Sequence, residues 1–205
     1  MTFHLHTYGC QMNVRDSEAV EALLSAAGHV RVENEADAEL VIVNSCTVRD
    51  MAERKAVGKC GNLIAAKEGR GRAGRRVDGA SGGRALPDDG RAGRPRPAVK
   101  IVGLMGCAVK RMGADVFKSL PNLDFAVGPR RFGAIPRLVE RCLAGEKRIL
   151  ELPDDDEVPT GMDAHGVTSF QSFVTVLLGC DNRCSYCMDV PTKCRRKGWG
   201  IERHL

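Results

Sequence analysis

The chain opens on alternation. In Thr2 to Tyr8, TFHLHTY, Phe3 and Leu5 alternate with His4 and His6, and Gly9-Cys10 closes the run. This period of two in β-prone residues predicts a strand, with both histidines on one face and without a ligand role. The period then changes. In RDSEAVEALLSAAG, Val20, Leu23, Leu24 and Ala27 recur at helical spacing and Gly28 stands where a C-terminal glycine belongs, so a helix is predicted. AELVIVNSC is a short continuous apolar run, as expected of a parallel strand buried on both faces, and it ends at Cys46. Thr47 and Asp50 have the T-x-x-D spacing of a capping box, which would open a helix through RDMAERKAVGKCGNLIAAK. Within it Cys60 lies among Val57, Leu63 and Ile64 and reads as a core thiol.

The same alternation continues. AVKIVGLM runs into Gly106-Cys107 and is followed by a helical stretch, AVKRMGADVFKSL; LDFAV then precedes the helix RRFGAIPRLVERCLAG, where Ile135, Leu138, Val139 and Cys142 share a face. Strands and helices of these lengths imply an α/β domain, a parallel sheet of Rossmann or flavodoxin-like type with right-handed crossovers, over residues 1–146. The acidic LPDDDEVPTGMDAHG has turn formers and no period, so residues 147–167 read as a linker. FQSFVTVLLGC then supplies one more strand, from Phe170 to Leu178, in a C-terminal segment 168–205. No GxGxxG lies between the first strand and helix, where YGCQMN stands instead, which removes a Rossmann dinucleotide site.

Residues 69–100, GRGRAGRRVDGASGGRALPDDGRAGRPRPAVK, interrupt this pattern. With hardly any large apolar residue they cannot build core. A basic RNA-binding run, a disordered insert and aberrant, non-native sequence are the three readings of them.

Composition narrows the chemistry. In 205 residues, 43% hydrophobic content is enough for a core, and a formal charge of +5 permits contact with nucleic acid without arguing for it. Nine cysteines would suggest a disulfide framework in a small secreted chain, but MTFHLHTYGC has neither the basic nor the apolar region of a secretory signal. No run approaches the roughly 18 apolar residues of a membrane helix. A reducing cytoplasm is therefore expected, where clustered cysteines more often mean metal than disulfide.

Three of the cysteines, Cys10, Cys46 and Cys107, each close a predicted strand. Parallel strands deliver their C-terminal ends to one edge of the sheet, where ligands bind. Each is followed by a helix start, whose dipole favours thiolate and suits an anionic iron-sulfur cluster. Three ligands leave one metal position open, unlike a closed structural zinc site. Three more, Cys180, Cys184 and Cys187, form CxxxCxxC in GCDNRCSYC. Zinc competes for such a triad but wants a fourth protein ligand, and Cys194 in the basic TKCRRKG is a poor candidate.

The triad resembles that of the radical S-adenosylmethionine (SAM) enzymes. There, three cysteines after the first strand of a barrel bind a [4Fe-4S] cluster whose fourth iron takes SAM. Together with YGCQMN at Tyr8 to Asn13, NSCTVRDMAERK at Asn44 to Lys55 and GLMGCAVKRMG at Gly103 to Gly113, it resembles the methylthiotransferases, specifically the MiaB-type tRNA enzymes. The resemblance covers about residues 1–68 and 99–187. It implies two [4Fe-4S] clusters, an auxiliary one on Cys10, Cys46 and Cys107 connected with sulfur delivery and the SAM cluster on Cys180, Cys184 and Cys187. The implied reaction cleaves SAM to a 5'-deoxyadenosyl radical and inserts a methylated sulfur at C2 of N6-isopentenyladenosine, position 37 of the tRNA anticodon loop. A reductant and a sulfur donor are implied partners. Two alternatives stay open: a non-catalytic iron-sulfur or zinc module, and a methylthiotransferase branch acting on threonylcarbamoyladenosine or a ribosomal-protein aspartate.

The family pattern stops after Val190-Pro191 in MDVPTKCRRKGWGIERHL. Residues 168–205 therefore read as the start of a truncated radical SAM domain, poorly ordered for want of strand partners and incompetent for turnover alone. Frameshifted or mispredicted coding sequence is the expected source of both this tail and the insert; neighbouring reading frames that restore no barrel-like continuation would overturn that expectation.

Overall fold

The computed structural model describes residues 1–47, 50–69, 99–152, 177–178 and 197–198. The elements are β1 (Thr2–Tyr8), α1 (Gln11–Ala26), β2 (Val30–Arg31), β3 (Leu40–Ser45), α2 (Asp50–Lys67) and β4 (Ile101–Gly106). They continue with α3 (Cys107–Met112), α4 (Val116–Ser119), β5 (Phe125–Val127), α5 (Ile135–Leu143) and β6 (Ile149–Glu151). The six strands make one sheet in the order β2-β1-β3-β4-β5-β6, with every neighbouring pair parallel. This is the doubly wound α/β fold expected, in its flavodoxin-like strand order.

Two apolar layers hold the sheet between helices. On one face Phe3, Leu40, Ile42, Ile101, Met105 and Phe125 meet Val20 and Leu24 of α1 and Ile135, Leu138 and Val139 of α5. On the other, Val41, Val43, Val102 and Leu104 meet Ala56, Cys60, Leu63 and Ile64 of α2, with Val109 and Phe117 beyond. Every residue of β3 and β4 is buried, which is why their sequences read as continuous apolar runs rather than alternations. Lys67, at the end of α2, is clamped to the sheet by both Asp124 carboxylate oxygens, at 2.6 and 2.7 Å. Asp124 Oδ2 in turn accepts the Val102 N–H at 2.8 Å.

Cys60 is wholly buried and burial pushes its thiol up to about 12; Cys142 is half-buried against the α5 face and pushed up to about 11, again chiefly by burial. His4 Nδ1 lies 2.9 Å from the Val32 carbonyl, and His6 Nε2 meets the Glu35 carboxylate, which also takes Lys59 Nζ at 2.5 Å. Burial lowers the His6 pKa against the opposing pull of Glu35.

The structure departs from the sequence reading in four places. Strands β2 and β6 were not expected, being two and three residues long and too short to show a period. Strand β6 takes residues 149–151, assigned above to the linker, into the sheet. The helical stretch after Cys107 breaks into α3, a 3-10 turn at Gly113–Asp115 and α4, because the chain turns at Gly113 with a φ of 54°. The Thr47 cap is not made. Helix α2 is described from Asp50, and Thr47 Oγ1 is buried without a hydrogen-bond partner among the described residues.

A separate two-residue antiparallel ladder pairs Leu177–Leu178 with Lys197–Gly198. The insert at 70–98, the remainder of the linker, the rest of the strand expected from Phe170 and the triad Cys180, Cys184 and Cys187 lie outside the described residues. No helix among the described residues is long and apolar enough to cross a membrane.

Candidate metal centre at the strand ends

Strand register places three cysteines side by side at one edge. Tyr8 pairs with Ser45, and Ser45 with Gly106, so β1, β3 and β4 end level with one another. Cys46 and Cys107 are the residues that follow at once, and Cys10 comes one position further on. From β1 the chain first winds outward to β2 and then back to β3 on the other side. The switch point therefore falls between β1 and β3, the place where such sheets open a ligand crevice. Cys10 and Cys46 flank it, and Cys107 follows the end of the next strand, β4, as the first residue of α3.

Glycines make this proximity possible. A Cβ on Gly9 would stand 2.8 Å from the Cys46 Cβ and 2.2 Å from Asn13 Oδ1, closer than any real side chain is found. The Cys10 loop is thus pressed against Cys46. Gly106 precedes Cys107 with φ 105° and ψ −168°, a backbone region open almost only to glycine. Its missing Cβ leaves room for the Ser45 carbonyl, which a Cβ would meet at 2.4 Å.

A buried amide network fixes the Cys10 side. Asn44 is wholly buried; its Nδ2 donates to the Asn13 carbonyl at 2.8 Å and to Ser17 Oγ at 3.0 Å, while its Oδ1 accepts Asn13 Nδ2 at 2.9 Å. Ser17 Oγ reaches Thr7 Oγ1 at 2.8 Å. Asn13 Oδ1 accepts the Cys10 N–H at 3.2 Å and faces the Cys10 thiol, its donor, at 3.4 Å. Cys10 is the N-cap of α1, and Asn13, its third residue, closes the cap. One β3 side chain therefore orients the first turn of α1 and, through it, the first cysteine. The sequence reading missed Asn13, Ser17 and Asn44. Asn44 carried the usable signal, an amide directly after the apolar run Leu40–Val43, which must find partners once buried.

The three thiols differ in access. Cys10 is exposed and lines an open depression with Gly9, Gln11, Met12 and Val14, Cys107 is half-buried, and Cys46 is 2% exposed. Among the described residues no three His, Cys, Asp or Glu side chains gather tightly enough to hold one metal ion. A structural zinc ion needs all of its donors about 2.3 Å from one point, whereas a four-iron cluster seats each cysteine on a different iron. The access order yields a prediction. In metal-free native protein, iodoacetamide should label Cys10 more than about a hundredfold faster than Cys60, because the thiolate is the nucleophile. Peptide mass spectrometry reads it, and equal labelling of both would contradict the packing of α2.

The family described as "Uncharacterized protein family UPF0004" matches residues 2–77, a stretch that takes in β1 to α2 with Cys10 and Cys46. The chain is 32% identical over 207 residues to tRNA-2-methylthio-N(6)-dimethylallyladenosine synthase of Chlorobaculum tepidum, covering 98% of this chain and 40% of that protein. It is 29% identical over 195 residues to the synthase of the same name from Sulfurihydrogenibium sp., covering 94% and 38%. To that of Desulfosudis oleivorans it is 34% identical over 192 residues, covering 91% and 35%. The chain spans about two-fifths of the length of these curated relatives. Its four ordered motifs and these matches along nearly its whole length make the chain similar to proteins named tRNA-2-methylthio-N(6)-dimethylallyladenosine synthase.

Proposed function

We propose that Cys10, Cys46 and Cys107 hold an auxiliary [4Fe-4S] cluster and that the chain serves the methylthiolation of N6-isopentenyladenosine at position 37 of the tRNA anticodon loop. The observation that carries this is the level ending of β1, β3 and β4, which sets three thiols beside the switch point of the sheet. The donor set suits the group: three thiols, a close approach of Gly9 to Cys46, and buried hydroxyls at Ser45 and Thr47 without acceptors. Cys180, Cys184 and Cys187 are the proposed ligands of a second [4Fe-4S] cluster that binds SAM, on the strength of their CxxxCxxC spacing. When bound, the two clusters supply an electron to SAM and an open iron for sulfur. The chain's own contribution is positional. Asn44 and Asn13 orient Cys10, and Gly106 lets the start of α3 come up against β3. A reductant, a sulfur donor and tRNA are the proposed partners, in the cytoplasm.

Anaerobic reconstitution with iron and sulfide tests the assignment. The full chain should take up about eight iron atoms, and the variant Cys10→Ala/Cys46→Ala/Cys107→Ala about four. Replacing Cys180, Cys184 and Cys187 should also leave about four and should abolish reductive cleavage of SAM to 5'-deoxyadenosine. Unchanged iron after loss of the strand-end cysteines, or zinc in their place, would sink the first assignment. Mass spectrometry of nucleosides from tRNA supplied with the chain reads the methylthio product.

A further inference from the structure

Two buried hydroxyls flank Cys46 in the chain. Ser45 is wholly buried and Thr47 is 5% exposed, yet neither Ser45 Oγ nor Thr47 Oγ1 meets a hydrogen-bond partner among the described residues. A buried hydroxyl left this way is destabilising, and native interiors rarely tolerate one without a reason. Here the two are the residues immediately before and after the same cysteine in the chain. The contrast with Asn44 is informative: that neighbouring polar side chain, equally buried, has all the partners just described. The chain can evidently satisfy a polar group at this strand end. At Ser45 and Thr47 no such partner is found among the described residues.

What is missing is an acceptor. A serine or threonine hydroxyl carries one O–H to give, and the atoms that would come nearest once a cluster occupied the strand ends are sulfurs, the Cys46 thiolate and the sulfides beside it. These carry negative charge, and more of it after reduction. A donor aimed at them stabilises the reduced form over the oxidised one and raises the reduction potential. We infer that Ser45 and Thr47 donate their hydroxyl hydrogens to sulfur at the Cys46 corner of the auxiliary cluster and so set its reduction potential. This role rests on the cluster assignment proposed above.

The test uses the full chain with Cys180→Ala, Cys184→Ala and Cys187→Ala, so that one cluster remains to be observed. Into this background go Ser45→Ala, Thr47→Val, which keeps the shape and removes the donor, and Thr47→Ser, which keeps the donor. Iron content, a redox titration followed by electron paramagnetic resonance, and resonance Raman spectra in H2O and D2O are recorded for each. Expected are unchanged iron, a more negative midpoint potential in Ser45→Ala and Thr47→Val, a larger shift in their combination, and a wild-type potential in Thr47→Ser. The iron–sulfur stretching bands should lose part of their deuterium shift in the two donor-less variants. Loaded variants that keep the potential and the deuterium shift would overturn the inference, as they would if ordered water satisfied these hydroxyls instead. A background chain that takes up no cluster would overturn the cluster assignment and this role together. Should Ser45→Ala fail to fold, the Thr47→Val and Thr47→Ser pair decides alone.

Discussion

Replacing Gly106 with alanine is expected to destabilise the domain by about 4 kcal/mol and to lower the iron taken up by whatever remains folded. Two costs combine. The backbone at Gly106, φ 105° and ψ −168°, is nearly closed to any residue with a Cβ and costs about 1–3 kcal/mol to impose. The new Cβ would also lie 2.4 Å from the Ser45 carbonyl oxygen and 2.7 Å from Asn44 Oδ1. Neither neighbour can step aside, since one is backbone of a central strand and the other is held by Asn13 and Ser17. Relief must come from pushing β4 away from β3 at their C-terminal ends, an overpacking cost of about 1–3 kcal/mol that also separates Cys46 from Cys107. Gly28→Ala is the control: its φ is 83°, but nothing lies within 4 Å, so only the backbone cost of about 1 kcal/mol applies. Urea unfolding of the metal-free proteins measures both. A Gly106→Ala loss no larger than that of Gly28→Ala would mean that the two strand ends are not in the contact described.

How far the sequence anticipates this edge depends on whether the determining contacts are local. Strand β1 and the buried strands β3 and β4 are readable because each residue's neighbours along the chain already show the pattern that burial imposes. Where they end, and that Cys10, Cys46 and Cys107 stand there, follows from the same runs. The switch point between β1 and β3 does not, because it needs the spatial order of the strands. The Asn13–Asn44–Ser17–Thr7 network joins residues up to 31 positions apart and leaves no trace of its pairing in either segment. Thr47 shows the converse error. Its spacing to Asp50 satisfies a local capping rule, yet its hydroxyl is buried and makes no hydrogen bond among the described residues.

The stability of the domain is expected to fall as pH rises from about 4 to about 7, and Asp16→Asn should remove much of that fall. Asp16, in the second turn of α1, is 8% exposed, and burial pushes its carboxyl from 3.8 up to about 7, against the opposing field of Arg15. Asp16 stands four residues before Val20 and eight before Leu24, on the apolar face of α1, and Arg15, Ser17 and Ala19 are buried with it. The sign follows from proton counting. Between the unfolded and folded pKa values the folded chain keeps a proton that the unfolded chain has released, so raising the pH favours unfolding until both forms are ionised. Each pKa unit is worth 1.36 kcal/mol, which makes the full effect on the order of 4 kcal/mol above pH 7 and close to nothing below pH 4. Asparagine is neutral throughout and close in shape. Urea midpoints of the parent and Asp16→Asn chains at pH 4 and pH 8 should therefore nearly coincide at the lower pH and separate in favour of the variant at the higher. The opposite order at pH 8 would show instead that an ionised Asp16 is held by Arg15 strongly enough to outweigh its burial, and would make the pair a stabilising contact beneath the Cys10 helix.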